Sequence, residues 1–255
     1  MPADNGRKNS EGRRPFRIAA VGDVTGDGKA DLTYLIPTAN GSQAWVLRSN
    51  GNSYQAPQLW WNGVGYQFNA LKAAMGDIDK NGAEDLILLT QQAGGGIAVS
   101  TALSTQSGFW LQAPWHTDGF TDWNTTEIFG GDVNGDGIAD VTILTATPDG
   151  SDAWVQLSNK TGLGGPQLWW NGAGYQYAGI KAAMGDVDGN GADDLILATR
   201  QADKGTAVSP LLSTNAGFWL QAPWWTDVYT NWNYMTLTAG NYGGSRHNGH
   251  PVADI

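Results

Sequence analysis

Four acidic loops hold the residues of this chain best suited to chemistry: GDVTGDGKADLTYL from Gly22, GDIDKNGAEDLILL from Gly76, GDVNGDGIADVTIL from Gly131 and GDVDGNGADDLILA from Gly185. Counting each first aspartate as position 1, oxygen donors fall on positions 1, 3, 5, 7 and 9. They are Asp23, Thr25, Asp27, the Lys29 carbonyl and Asp31 in the first loop, and Asp77, Asp79, Asn81, the Ala83 carbonyl and Asp85 in the second. The third supplies Asp132, Asn134, Asp136, the Ile138 carbonyl and Asp140, and the fourth Asp186, Asp188, Asn190, the Ala192 carbonyl and Asp194. Alternate residues of a tight loop turn inward, and a glycine at position 6 (Gly28, Gly82, Gly137, Gly191) permits the sharp turn that brings position 7 round. Hard oxygen donors in this number suit calcium better than zinc or copper, and magnesium gives up its water shell too reluctantly. About four structural calcium ions are therefore expected. An acidic turn without metal is the alternative, and four coincident copies argue against it.

An EF-hand is excluded. It needs a bidentate glutamate at position 12, where this chain has Tyr34, Leu88, Ile143 and Leu197. Strand-like runs, not helices, flank each loop.

The elements that must position the loops are repeats. Asp23, Asp77, Asp132 and Asp186 recur at almost constant spacing, with a period of blade or solenoid size. A longer period of two units overlies the first. PQLWWNGVGYQF from Pro57 returns as PQLWWNGAGYQY from Pro166, and GFWLQAPWHTD from Gly108 returns as GFWLQAPWWTD from Gly217. The units thus alternate A-B-A-B. Within each, short runs rich in Val, Ile, Leu, Trp and Tyr are separated by glycine turns, which is the strand and hairpin signal. In the first unit strands are expected near Arg17 to Val21, Leu32 to Pro37, Ala44 to Ser49 and Gln58 to Trp61. Four strands per roughly 54 residues is one propeller blade, whereas β-helix rungs and leucine-rich repeats are shorter. The expected fold is all-β: a propeller of four-stranded blades with one calcium loop each. Residues 1–15 read as a flexible leader, 16–235 as four blades and 236–255 as a partial, degenerate fifth. In that last unit NGHPVAD from Asn248 aligns with NGDGIAD from Asn134, but Pro251 replaces the loop glycine and a metal-free loop is expected.

Composition narrows the function classes. The formal net charge is -10, yet half of the acidic residues are the twelve loop aspartates, so the acidity is mostly a metal requirement. No basic stripe follows that could track a phosphate backbone, which argues against nucleic acid. No apolar run approaches membrane-spanning length. There is no cysteine, hence no disulfide or thiolate zinc site.

The loops, their strand context and IFGGDVNGDGIADV from Ile128 resemble the FG-GAP or VCBS repeats of integrin-type β-propellers. The resemblance spans about residues 16 to 255. It implies that each loop joins the first two strands of a blade in a structural calcium role, and that the intact ring commonly has about seven blades. Four blades and a fraction would then be a fragment, a small ring, or part of a homo-oligomer or ring completed by another chain. Extracellular or cell-surface location is the accompanying expectation, since calcium sites of this kind suit the millimolar calcium outside cells.

Thirteen tryptophans prompt a binding hypothesis. They recur as Trp60-Trp61-Asn62 with Tyr66, its copy Trp169-Trp170-Asn171 with Tyr175, and Trp110 and Trp115 with copies Trp219 and Trp224. Adjacent residues on a strand point to opposite faces, so one tryptophan of each pair is expected to be exposed beside an amide. An aromatic face next to directed hydrogen-bonding groups suits a sugar ring. The blade design also resembles calcium-bearing propeller lectins, which implies glycan sites between neighbouring blades. Packing between blades is the competing role for these residues, and a protein surface the competing partner. Catalysis is not expected: His116 is replaced by Trp225 in the duplicate unit, His247 and His250 lie in the degraded tail, and neither a G-x-S-x-G elbow nor an H-E-x-x-H helix occurs.

Overall fold

The computed structural model describes residues 17–118, 122–202, 205–228, 232–239, 246–247 and 250–251. It is an all-β propeller of four blades, each an antiparallel meander in which consecutive strands are neighbours. The first blade is β1 (Arg17–Gly22), β2 (Asp31–Thr38), β3 (Gly41–Leu47) and β4 (Gln58–Val64). In the second blade, β5 (Leu71–Gly76), β6 (Asp85–Gln91) and β7 (Ile97–Ser104) are followed by a divided outer strand, β8 (Phe109–Leu111) and β9 (His116–Asp118), both halves of which pair with β7. The third returns to the form of the first as β10 (Thr126–Gly131), β11 (Asp140–Thr147), β12 (Gly150–Gln156) and β13 (Gln167–Ala173). The fourth has the form of the second: β14 (Ile180–Gly185), β15 (Asp194–Arg200), β16 (Thr206–Ser213), β17 (Phe218–Leu220) and β18 (Trp225–Asp227). Pro114 and Pro223 stand in the break, consistent with the missing amide that keeps proline out of a continuous ladder. The A-B alternation of the sequence is thus an alternation of intact and divided outer strands.

Alternation of side chains along each second strand decides which blade faces which. In β6, Leu86 and Leu88 join the core shared with the first blade, while Ile87 and Leu89 join the core shared with the third. β15 repeats this, with Leu195 and Leu197 turned to the third blade and Ile196 and Ala198 turned to residues 232–239. Trp232, Met235, Leu237 and Ala239 pack there, so chain beyond the fourth blade covers its far face. This covering begins a few residues before the boundary at 236 expected for a fifth unit; residues 232–239 form no ladder, and the next described pairing is the short hairpin of β19 (Arg246–His247) and β20 (His250–Pro251). The leader and the rest of the terminal loop, including Asn248, lie outside the described residues. Among the described residues no helix is long and apolar enough to cross a membrane.

Small residues let the inner strands approach. A Cβ on Gly130 would run into the Met75 carbonyl and Ile87, and one on Gly131 would lie 2.6 Å from the Asp193 carboxylate. Gly130→Ala is therefore expected to cost about 1–3 kcal/mol through overpacking, whereas Gly165→Ala, at a position with open space around it, should be near neutral. Urea unfolding of the two variants side by side checks the difference.

Candidate metal centre

Each loop joins the first two strands of its blade, as the register shows: Gly22 pairs with Asp31, Gly76 with Asp85, Gly131 with Asp140 and Gly185 with Asp194. The interior of all four is organised the same way. One carboxylate oxygen of the position-1 aspartate accepts the position-6 amide, at 2.6 Å from Gly28 to Asp23, 2.8 Å from Gly82 to Asp77, 2.6 Å from Gly137 to Asp132 and 2.9 Å from Gly191 to Asp186. Its other oxygen accepts the position-5 amide, from Asp27, Asn81, Asp136 and Asn190. The position-5 side chains in turn accept the amides of Lys29, Ala83, Ile138 and Ala192. The position-6 glycines hold φ between 78° and 91°, the left-handed region that favours glycine.

The loops differ in how closely their carboxylates gather. Asp77, Asp79 and Asp85 bring three carboxylate oxygens within 4.8 Å of one another, and Asp186, Asp188 and Asp194 do the same. These two triads can hold a metal ion. In the first and third loops position 3 is Thr25 or Asn134, and the third carboxylate moves to position 5 as Asp27 or Asp136. There the Asn134 amide points at Asp136, 3.2 Å away, and the Lys29 ammonium pairs with Asp27 at 2.9 Å, holding that carboxyl below its ordinary range. Sequence spacing treats the four loops alike; the structure gathers three carboxylates most tightly in the B units.

The donor set fits a hard cation on a second count. Asp31 is fully buried and its Oδ2 has no hydrogen-bond partner, an arrangement costly for an ionised oxygen unless a cation faces it. Burial pushes Asp85, Asp140 and Asp194 up to about 7, and the neighbouring loop aspartates add to the rise. Asp79 and Asp132 are also raised, chiefly by burial. A divalent ion bound among these groups would supply the positive charge that lets them stay ionised.

Two sets of residues escape a reading of the sequence. The first is a serine in each unit: Ser49, Ser104, Ser158 and Ser213. Their amides donate to Oδ1 of Asp31, Asp85, Asp140 and Asp194 at 2.6 to 2.8 Å. The hydroxyls of the last three reach into the preceding blade's loop, Ser104 to the Val24 carbonyl at 2.6 Å, Ser158 to that of Ile78 at 3.0 Å, and Ser213 to that of Val133. Their recurrence once per repeat, in step with the loop aspartates, is the signal that could have found them. The second set is position 8. The amides of Glu84, Ala139 and Asp193 donate to the carbonyls of Asp23, Asp77 and Asp132, the first aspartates of the preceding loops. The Glu84 and Asp193 side chains are half-buried there and their carboxyls pushed up to about 7 and about 6, loss of solvent around them being the main cause.

The tryptophan motifs are placed differently from expectation. Trp60, Trp61, Trp169 and Trp170 are all buried, so the exposed member expected of each pair is absent. The reason is a β-bulge. Ala44 pairs with Trp61 and Trp45 with Leu59, which leaves Trp60 as the extra residue, and Ala153, Trp154, Leu168 and Trp170 repeat the pattern around Trp169. A bulge turns two successive side chains to one face. Trp60 meets Phe109 of the next blade edge-on with centroids 5.2 Å apart, and Trp61 meets Tyr66 at 5.2 Å. The copies Trp169–Phe218 and Trp170–Tyr175 lie at 5.2 and 5.4 Å. Asn62 and Asn171 are exposed beside them. Trp115 packs partly against the core between the second and third blades. The exposed members are Trp110 and Trp219, each at 68%, and Trp224 at 51%.

No protein-family model matches the chain, and no curated protein does either. The fold implied by the FG-GAP resemblance is therefore present without a family assignment. Among solved structures the chain is similar to a glycoside hydrolase family 43 arabinoxylan arabinofuranohydrolase from Bacillus subtilis, crystallised with cellotetraose, at a TM-score of 0.45 and 13% identity. The match covers 81% of this chain and 53% of that one, so it spans about half of the hydrolase, and similarity of this degree carries no functional argument.

Two outcomes follow from the loop geometry. Ser104→Ala leaves the buried Val24 carbonyl without its donor and should cost about 1–3 kcal/mol. Ser49→Ala, whose hydroxyl only accepts the nearby Gly51 amide, should cost well under half as much, and denaturant unfolding compares them. The pH dependence has a definite sign as well. Carboxyls raised in the folded state to about 7 are protonated in both states below about pH 4 and ionised in both above about pH 7, so metal-free stability falls as pH rises through that window. In chelator the melting temperature should be higher at pH 5 than at pH 7.5, and millimolar calcium should abolish or reverse the difference.

Proposed function

We propose that this protein is a calcium-stabilised recognition module that binds carbohydrate, displayed outside the cell or at its surface, and that it acts by binding, not by catalysis. Calcium is the ion that an all-oxygen loop donor set favours. Four ions are expected in two classes, tighter in the second and fourth loops with their gathered triads and weaker in the first and third. The observation that carries the carbohydrate reading is the exposure of Trp110, Trp219 and Trp224 on or beside the outer strands of the divided blades. An indole left in water forgoes burial that the fold gives to the paired tryptophans, and such a flat apolar face suits the C–H face of a sugar ring. Duplication of the two-unit module offers two copies per chain, so weak single contacts would add up on a glycan-covered surface.

A protein partner is the second reading. One observation favours it: Leu32, Tyr34 and Ile36 on β2 and Trp45 on β3 are only partly buried, whereas Leu86, Leu88, Leu195 and Leu197, the counterparts on β6 and β15, are fully buried against a preceding blade. That face has the chemistry of a blade-stacking surface.

Thermal unfolding with calcium, magnesium or chelator, run beside a glycan array on the calcium-loaded protein, tests both parts. A calcium-specific rise in melting temperature is expected, with array binding that Trp110→Ala and Trp219→Ala together reduce at least ten-fold without lowering the melting temperature. Calcium stabilisation with a blank array would shift the reading to the protein partner, and no calcium effect would remove the metal assignment.

A further inference from the structure

A cavity of about 350 Å³ opens where the first and second blades meet, within the size range of small-ligand sites. Its wall includes Tyr66 and Gln67 from the turn after β4, Gln91 and Gln92 at the end of β6, and Pro114 from the break between β8 and β9. The wall is braced from behind. The Trp61 ring meets Tyr66 edge-on, the Ser42 hydroxyl donates to the Tyr66 carbonyl at 2.8 Å, and the Gln92 amide donates to the Thr90 hydroxyl at 3.0 Å. This is the role the Trp-Trp-Asn-Gly motif has in the fold: its second tryptophan positions a tyrosine that itself reaches the surface.

The residues that form this wall recur in the second copy of the module, at the junction of the third and fourth blades. Tyr175, Gln176, Gln201 and Pro223 stand where Tyr66, Gln67, Gln92 and Pro114 stand in the first copy, and the braces repeat. Trp170 meets Tyr175, Ser151 donates to the Tyr175 carbonyl at 2.9 Å, and Gln201 donates to Thr199 at 2.9 Å. One wall position changes in charge. Arg200 replaces Gln91 in equivalent register, since Gln91 pairs with Ile97 and Arg200 with Thr206 at the same end of the hairpin. A second change accompanies it: Ala70 becomes Gly179, directly beside the Arg200 stem, so that a Cβ there would lie 3.9 Å from the Arg200 Cβ. Arg200 is exposed and makes no ion pair among the described residues.

Building on the carbohydrate reading, we propose that these junctions are two saccharide pockets of different charge preference. The first takes a neutral sugar, held by glutamine amides beside the tyrosine. The second takes an acidic sugar, a uronate or similar carboxylated ring, whose carboxylate the Arg200 guanidinium clasps. Guanidinium matches carboxylate through two parallel hydrogen bonds and keeps its charge at any working pH. Glutamine offers a neutral hydrogen-bonding pair in the same place, so a chain with both pockets would read mixed neutral and acidic glycans at two separated points.

Isothermal titration of the calcium-loaded full chain with glucose, galactose, glucuronate and galacturonate tests this, using wild type, Arg200→Gln and Gln91→Arg. Both positions are exposed, so neither variant should change the melting temperature. Uronate should bind wild type at one site per chain, weaken as salt is raised, and lose about ten-fold or more in affinity in Arg200→Gln with neutral sugars unaffected. Gln91→Arg should create a second uronate site. Uronate binding unchanged in Arg200→Gln, or no added site in Gln91→Arg, would overturn the charge assignment while leaving carbohydrate binding standing. Absence of binding by all four sugars at millimolar concentration would overturn the carbohydrate reading and this inference with it.

Discussion

The structure depends on a relay that begins at the ninth position of each loop. A buried aspartate accepts the amide of a serine at or just past the end of the next strand of its own sheet, and in the second, third and fourth blades that serine's hydroxyl donates to a carbonyl in the loop of the blade before. The position-8 amide adds a second link to the same preceding loop. Loop conformation, sheet geometry and blade stacking are thus bound into one network. The carboxylate at its centre is buried without a lysine or arginine pairing it among the described residues, so the network concentrates negative charge that a hard cation is suited to offset. A cation there would act on the joints between blades as much as on single loops.

Packing around this network is not uniform. The junctions entering the second and fourth blades hold the paired tryptophans with Phe109 or Phe218, large rings set edge to face. The junction between the second and third blades is filled by Ile, Val and Leu with Trp115 and Trp123 at its margin, and Lys72 lies 4.6 Å from the Trp123 ring centroid. Lys181 lies likewise 5.1 Å from Trp232, so the segment after the fourth blade opens in the same way as the third blade does. The duplicated module is therefore visible in packing as well as in spacing. Its aromatic junctions are the ones whose rims carry the tyrosine and glutamine walls, which ties the recurrent surface features to the most heavily buried part of the repeat.

Much of this is legible in the chain. Loop spacing identifies the unit, period-2 runs identify strands, and position-6 glycines identify the turn, because each is a local property of a few consecutive residues. The strand boundaries of the first blade agree within a few residues for this reason, β3 beginning earlier than expected because the Ala39-Asn40 turn is tight and pairs Thr38 with Gly41. Alternation misplaces the tryptophan pairs because it presumes a regular ladder, and a bulge depends on how β3 and β4 pair, not on the Trp-Trp dipeptide itself. The serines show in the sequence only as a recurrence in step with the loop aspartates, because a serine lying a whole hairpin away from an aspartate has no stated partner until that hairpin is closed.

What the sequence determined by itself is the repeat, the strand count per repeat, the oxygen-rich loops and the charge they carry, all encoded in local patterns and their recurrence. What only the tertiary structure decided is which carboxylates converge, which tryptophans face water, and that Tyr66, Gln91 and Pro114 share one wall with a charged counterpart at Arg200. Those facts are set by register between strands and by the approach of one blade to the next, and chain-distant groups meet only after the buried faces have chosen their partners.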